Sequence, residues 1–120
     1  MIEESPPYLL ADAEQLQRVA DILKTIAHPD RLEIINYLEA GEQSVARICK
    51  RLNTPQPYVS HHLNLMKAKG ILLSRRKGSQ VLYSVANKNV IEVIQCVRKH
   101  GHNPEGCEAV IAPERQTQKQ

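Results

Sequence analysis

The chain has 120 residues, 42% hydrophobic and 24% charged, with no Trp, no Phe and four Tyr, so aliphatic side chains must fill one small core, and a second subunit would help to cover it. No apolar run reaches the roughly 20 residues of a bilayer span; the acidic start MIEESPPYLL does not read as a secretory signal, and three irregularly spaced cysteines make no disulfide framework. A membrane protein and a stapled secreted domain are both disfavoured, and the expectation is a cytoplasmic chain with reduced thiols.

The formal net charge of +3 hides a segregation. Residues 1–42 carry nine acids against three bases, residues 43–91 carry nine Lys and Arg and no acid, and residues 92–120 carry four of each. A basic segment without acids is the electrostatic footprint of a polyanion-binding surface, because Lys and Arg that neutralise phosphates release condensed counterions.

Residues 1–11 read as an arm, with Ser5-Pro6-Pro7 resisting helix. Asp12, with Gln15 three residues on, predicts the N-terminus of a first helix whose stripe is Leu16, Val19, Ala20, Leu23 and Ile26. Pro29 suits the first turn of a second helix carrying Leu32, Ile35 and Leu38 and stopping near Gly41. Ser44 can cap a short third helix with Val45, Ile48, Cys49 and Leu52 inside, Cys49 reading as a buried small hydrophobe. LNTP makes a tight turn, and Thr54 is expected to cap a fourth helix that buries Val59, Leu63 and Met66 and ends at Gly70. In ILLSRRKGSQVLYSV two alternating runs flank Lys77-Gly78-Ser79, a basic-tipped hairpin. A last helix spans about Asn89 to His100, apolar over more than one stripe, and residues 101–120 form a polar tail. The whole is a mainly α fold with a β-hairpin wing, a winged helix-turn-helix domain over residues 12–100 including its flanking helices, of which the last would leave Val90, Ile94 and Val97 to water without a second subunit.

In this order of elements the fourth helix is the one that enters the major groove. Its polar face holds Gln56, Pro57, Ser60, His61 and Asn64, flanked by Tyr58 and Lys67, side chains suited to base edges and phosphates. Arg75, Arg76 and Lys77 would bring the wing to the flanking backbone. The adjacent His61 and His62 point about 100° apart and cannot share a metal unaided, and the segment holds no carboxylate to orient either as a catalytic base. His61 falls on the DNA face, whereas His62 reads as a packing histidine with one satisfied nitrogen.

The stretch from Thr25 to Val85 resembles the ArsR/SmtB family of bacterial winged-helix repressors, chiefly in HPDRLEI, VSHHLNLMKAKGIL and SRRKGSQVLYSV. The resemblance implies a homodimer built through the first and last helices, double-stranded palindromic operator DNA as partner, and release on a metal or thiol-directed signal. The family's sensor residues do not carry over: Ser44-Val45-Ala46 stands where one branch has Cys-Val-Cys, and Asn87, Asn89, His100 and Asn103 stand where another places zinc ligands, leaving His100 alone. A replacement set lies in CVRKHGHNPEGC. Cys96 and His100 share a helix face, and His102 and Cys107 follow a glycine that could fold them back. Three readings of this set stay open: zinc or another thiophilic metal or metalloid on the four residues, a disulfide or persulfide bridge between the Cys96 and Cys107 thiols, or an incidental tail. No cofactor is required. The reading is a DNA-binding repressor without catalytic activity, the alternative a metal-binding or redox protein whose basic surface meets a protein partner.

Overall fold

The structure, a computed structural model, describes residues 12–102. The chain divides into two units, 1–87 and 88–120. The first contains α1 (Ala13–Ile26), α2 (Pro29–Leu38), β1 (Gln43–Ser44), α3 (Val45–Leu52), α4 (Gln56–Ala68), β2 (Leu72–Lys77) and β3 (Gln80–Val85), and the second contains α5 (Lys88–His102).

Local chemistry explains most boundaries. Asp12 and Gln15 form a reciprocal capping box at the start of α1. Pro29 occupies the first turn of α2, while His28 caps it by accepting the Asp30 N–H at Nδ1, 3.1 Å. Ser44 caps α3 through the Arg47 N–H, and Asn53 ends that helix in the left-handed region at φ 54°. Thr54 does not cap α4 as expected. Its hydroxyl turns back to the Leu52 carbonyl, and Pro55 takes the cap position without a side-chain bond. Helix α5 runs past the expected end at His100, so Gly101 lies within it.

β1 was not anticipated, being two residues long. It completes an antiparallel sheet of order β1-β3-β2, in which Ser44 and Arg75 both pair with Leu82. The hairpin loop is Gly78-Ser79 alone, since Lys77 pairs with Gln80, and Gly78 supplies the positive φ of 65° that the tight turn requires.

Ile34, Ile35, Leu38, Ile48, Val59, Leu63, Met66, Ile71 and Leu72 are almost wholly buried. Of the apolar residues Leu32, Ile35 and Leu38 read on α2, Ile35 and Leu38 are buried together with Ile34, and Leu32 is exposed. On α1, Leu16, Val19 and Leu23 are 56%, 50% and 47% exposed, and only Ile26 of the predicted stripe is buried. The α1 stripe therefore does not serve the core of its own chain.

His62 pins α4 to the start of α2. It is 9% exposed, its Nδ1 accepts the Arg31 Nε–H at 3.1 Å, and Arg31 also reaches the Thr25 carbonyl at 2.9 Å. The His28 ring lies 4.7 Å from the His62 ring, and the Asp30 carboxylate is 3.8 Å from His62 Nε2. Burial, then the charges of His28 and Arg31, push the His62 pKa below the ordinary value against the pull of Asp30.

A depressed native pKa means that the unfolded chain takes up the proton first. The stability contributed by neutral His62 is full above about pH 6.5 and is lost as pH falls from there toward the lower native value. His62→Ala leaves the Arg31 donor without its acceptor and should cost about 1–3 kcal/mol near neutral pH. Denaturant unfolding should also show a flatter decline in stability below about pH 6.5 than the wild type shows. A variant as stable as the wild type would remove His62 from the α2–α4 joint.

Candidate nucleic-acid interface

Helix α4 divides cleanly by period. Val59, His62, Leu63 and Met66 are buried, while Gln56, Pro57, Tyr58, His61, Asn64 and Lys67 are exposed and Ser60 is half-buried. The outward residues recur one helical turn apart and form one polar face. This face carries two carboxamides, an imidazole, a phenol and a hydroxyl, groups able to hydrogen-bond base edges in a major groove. Tyr58 is 64% exposed, which places a large ring at the rim of the face.

Folding redistributes the charge seen in the sequence. Among the described residues, three cations of the basic segment are tied to acids that precede it: Arg51 to Glu33 at 3.7 Å, Lys69 to Asp21 at 2.8 Å and Arg75 to Glu42 at 2.6 Å. Arg51 also stands over the Tyr37 ring. Arg47, Lys50, Lys67, Arg76 and Lys77 are exposed and have no ion-pair partner among the described residues. Arg76 and Lys77 are adjacent at the end of β2, beside the hairpin turn, and Lys67 lies in the last turn of α4.

A cleft of about 610 Å³ lies between the start of α3, the α3–α4 turn and the wing, with Ser44, Cys49, Thr54, Gln56 and Gln80 among its lining. No charged side chain lines it. Cys49 is half-exposed here, not the buried small hydrophobe expected, because the third helix turns that side toward the cleft.

His28, Asp30 and His62 place one ligand atom each within 4.8 Å of one another. The trio went unseen in the sequence, since 34 positions separate its histidines. Its hydrogen-bond polarity is wrong for a metal. The Nδ1 atoms of both rings accept bonds, from the Asp30 N–H and from Arg31, so the proton of each neutral ring sits on Nε2 and neither ring offers a metal a lone pair unless one of these bonds breaks. A ligating histidine instead donates its second nitrogen to an acceptor. The trio is a joint between helices.

The sensor residues are brought together only in part. Cys96 is exposed on α5, as is His100 one turn later. Val93 and Val97 on the same helix are 43% and 66% exposed. His102 is the last residue of α5, and Cys107 lies outside the described residues. Among the described residues no helix is long and apolar enough to cross a membrane.

Comparison with known proteins agrees with this geometry. Residues 28–74 match the family model described as bacterial regulatory protein, arsR family. An HTH-type transcriptional regulator of Methanocaldococcus jannaschii is 38% identical over 85 residues, covering 70% of this chain and 96% of the relative. The transcriptional repressor PagR of Bacillus anthracis is 40% identical over 81 residues, covering 67% of this chain and 81% of the relative. Its crystal structure superposes with a TM-score of 0.65, covering 72% of this chain and 99% of that one, at 37% identity. A homodimeric winged helix-turn-helix DNA-binding domain from Mycobacterium bovis, 25% identical, gives a TM-score of 0.64 over 78% of this chain and 94% of that one. The chain is a winged helix-turn-helix protein and belongs to the ArsR family of bacterial regulatory proteins.

Proposed function

We propose that the protein is a homodimeric transcriptional repressor that reads a palindromic operator with α4 and is released by a thiol-directed signal or a thiophilic metal. The observation that carries this reading is the outward face of α4, which presents Gln56, Tyr58, Ser60, His61 and Asn64 and ends on the exposed Lys67. Gln56, Tyr58, Ser60, His61 and Asn64 are assigned to bases, with Pro57 at the helix start, and Lys67, Arg76 and Lys77 to phosphates. His61→Ala should cost ~1–3 kcal/mol on the operator and little on random duplex, with thermal stability unchanged. Equal losses on both DNAs would contradict a base contact at His61.

Dimerisation is supported by the Leu16, Val19 and Leu23 stripe, which the chain leaves open to water, and by the homodimeric M. bovis neighbour. A two-fold dimer presents two copies of α4 to half-sites one helical turn apart, and so demands a palindrome. Leu16→Glu with Leu23→Glu should give a monomer by sedimentation and abolish operator binding. A monomeric double variant with full operator affinity would refute the dimer.

Signal release is assigned to Cys96 with Cys107, and His100 and His102 would complete the ligand set if the signal is a metal. Support comes from the exposure of Cys96 on a helix that also exposes Val93 and Val97. An effector acts only through its different affinity for the two dimer geometries, and a coupling of ~1–3 kcal/mol would mean about 5–150-fold weaker operator binding. Cys96→Ser should bind operator normally yet resist release by whichever of peroxide, a persulfide donor, arsenite or zinc releases the wild type. Normal release of that variant, with loss in Cys49→Ser, would move the sensor to α3.

A further inference from the structure

The Glu42–Arg75 pair stands out because its position contradicts the simplest use of Arg75. Arg75 was expected to meet DNA phosphate with Arg76 and Lys77. Its guanidinium instead makes a bidentate contact, Nε to Glu42 Oε2 at 2.6 Å and Nη2 to Oε1 at 2.8 Å. The guanidinium holds the Glu42 carboxyl below its ordinary pKa, chiefly through these hydrogen bonds.

The strand order gives the contact its meaning. Glu42 immediately precedes β1, one edge of the sheet, and Arg75 is in β2, the other edge, with β3 between them. Ser44, Leu82 and Arg75 form one row across the three strands. The ion pair therefore spans the central strand and ties the base of the wing to the corner after α2. An exposed pair of this kind adds little to global stability. Its two-point geometry, however, fixes orientation, which a single lysine contact would not.

We propose that Glu42 and Arg75 are positioning residues that clasp the wing at a set pitch relative to α4, leaving Arg76 and Lys77 as the wing's phosphate contacts. The proposal rests on the DNA-binding reading of α4 and the wing. It carries a specific expectation about charge. Glu42→Gln adds one unit of positive charge near the DNA surface and would raise affinity if Glu42 merely competed with phosphate. A clasp predicts the reverse, because the freed wing must be ordered again on binding.

Two measurements decide it. In binding titrations across salt concentrations, Glu42→Gln and Arg75→Gln should each weaken operator binding by about three- to tenfold with the slope of log affinity against log salt unchanged. Arg76→Gln or Lys77→Gln should lower that slope by ~0.9 each. The charge-reversed pair Glu42→Arg with Arg75→Glu should recover most of the lost affinity. A slope lowered by Arg75→Gln as much as by its neighbours, or an affinity raised by Glu42→Gln, would overturn the clasp. In the DNA-free protein, amide hydrogen exchange at β2 and β3 should quicken alike in Glu42→Gln and Arg75→Gln and return in the reversed pair. Unchanged exchange in both would overturn the clasp whether or not the protein binds DNA, so its failure is separable from that of the repressor reading.

Discussion

Helix α4 must bury one face completely and leave the other to water, and the arrangement of the first unit follows from that division. Val59, Leu63 and Met66 have essentially no exposure, which fixes the rotation of the helix about its axis, since a turn of one residue would drag His61 or Asn64 into the core. Hydrophobic contact alone would still allow the helix to slide. His62 removes that freedom by a directional bond to Arg31, which is itself held to the end of α1 through the Thr25 carbonyl. The exposed face is thus positioned by contacts on the buried side of the helix.

The electrostatics follow the same economy. A sequence with nine cations and no acid over residues 43–91 would be self-repelling as a compact surface. The fold relieves part of this by placing Asp21, Glu33 and Glu42 against Lys69, Arg51 and Arg75. The cations of this segment left without an ion pair among the described residues of the first unit are Arg47 and Lys50 on α3, Lys67 in the last turn of α4, and Arg76 and Lys77 at the hairpin tip. In the proposed DNA-binding reading the unpaired cations would steer a polyanion toward α4, while those already paired hold parts of the fold together.

Elements with strong local signals were legible in the sequence. The Asp12 capping box, Pro29 in a first turn, the Ser44 cap and the glycine turn of the hairpin each announce a boundary by a chemistry confined to a few residues. The two faces of α4 followed from a 3.6-residue period. Less legible was anything set by partners distant in the chain. The two-residue β1 exists only because β3 pairs with it. Arg75 looked like its neighbours until Glu42 was found 33 positions earlier, and His28 and Asp30 meet His62 only through folding. Leu16, Val19 and Leu23 were read correctly as an apolar stripe, but periodicity cannot say whether a stripe faces its own core or another chain. The sensor was least legible, since Cys96 shares an exposed helix face with His100 whereas Cys107 lies outside the described residues.

A protein whose α4 face reads an operator must discriminate sequence as well as bind duplex DNA. The most direct test measures the affinity of the purified protein for the DNA upstream of its own gene and for a random duplex of equal length, each across a range of salt. The expected result is a preference of at least about 10³-fold for the upstream DNA and affinity on both DNAs that falls steeply with salt, as release of several counterions requires. Affinity that is indifferent to sequence, or flat with salt, would contradict it.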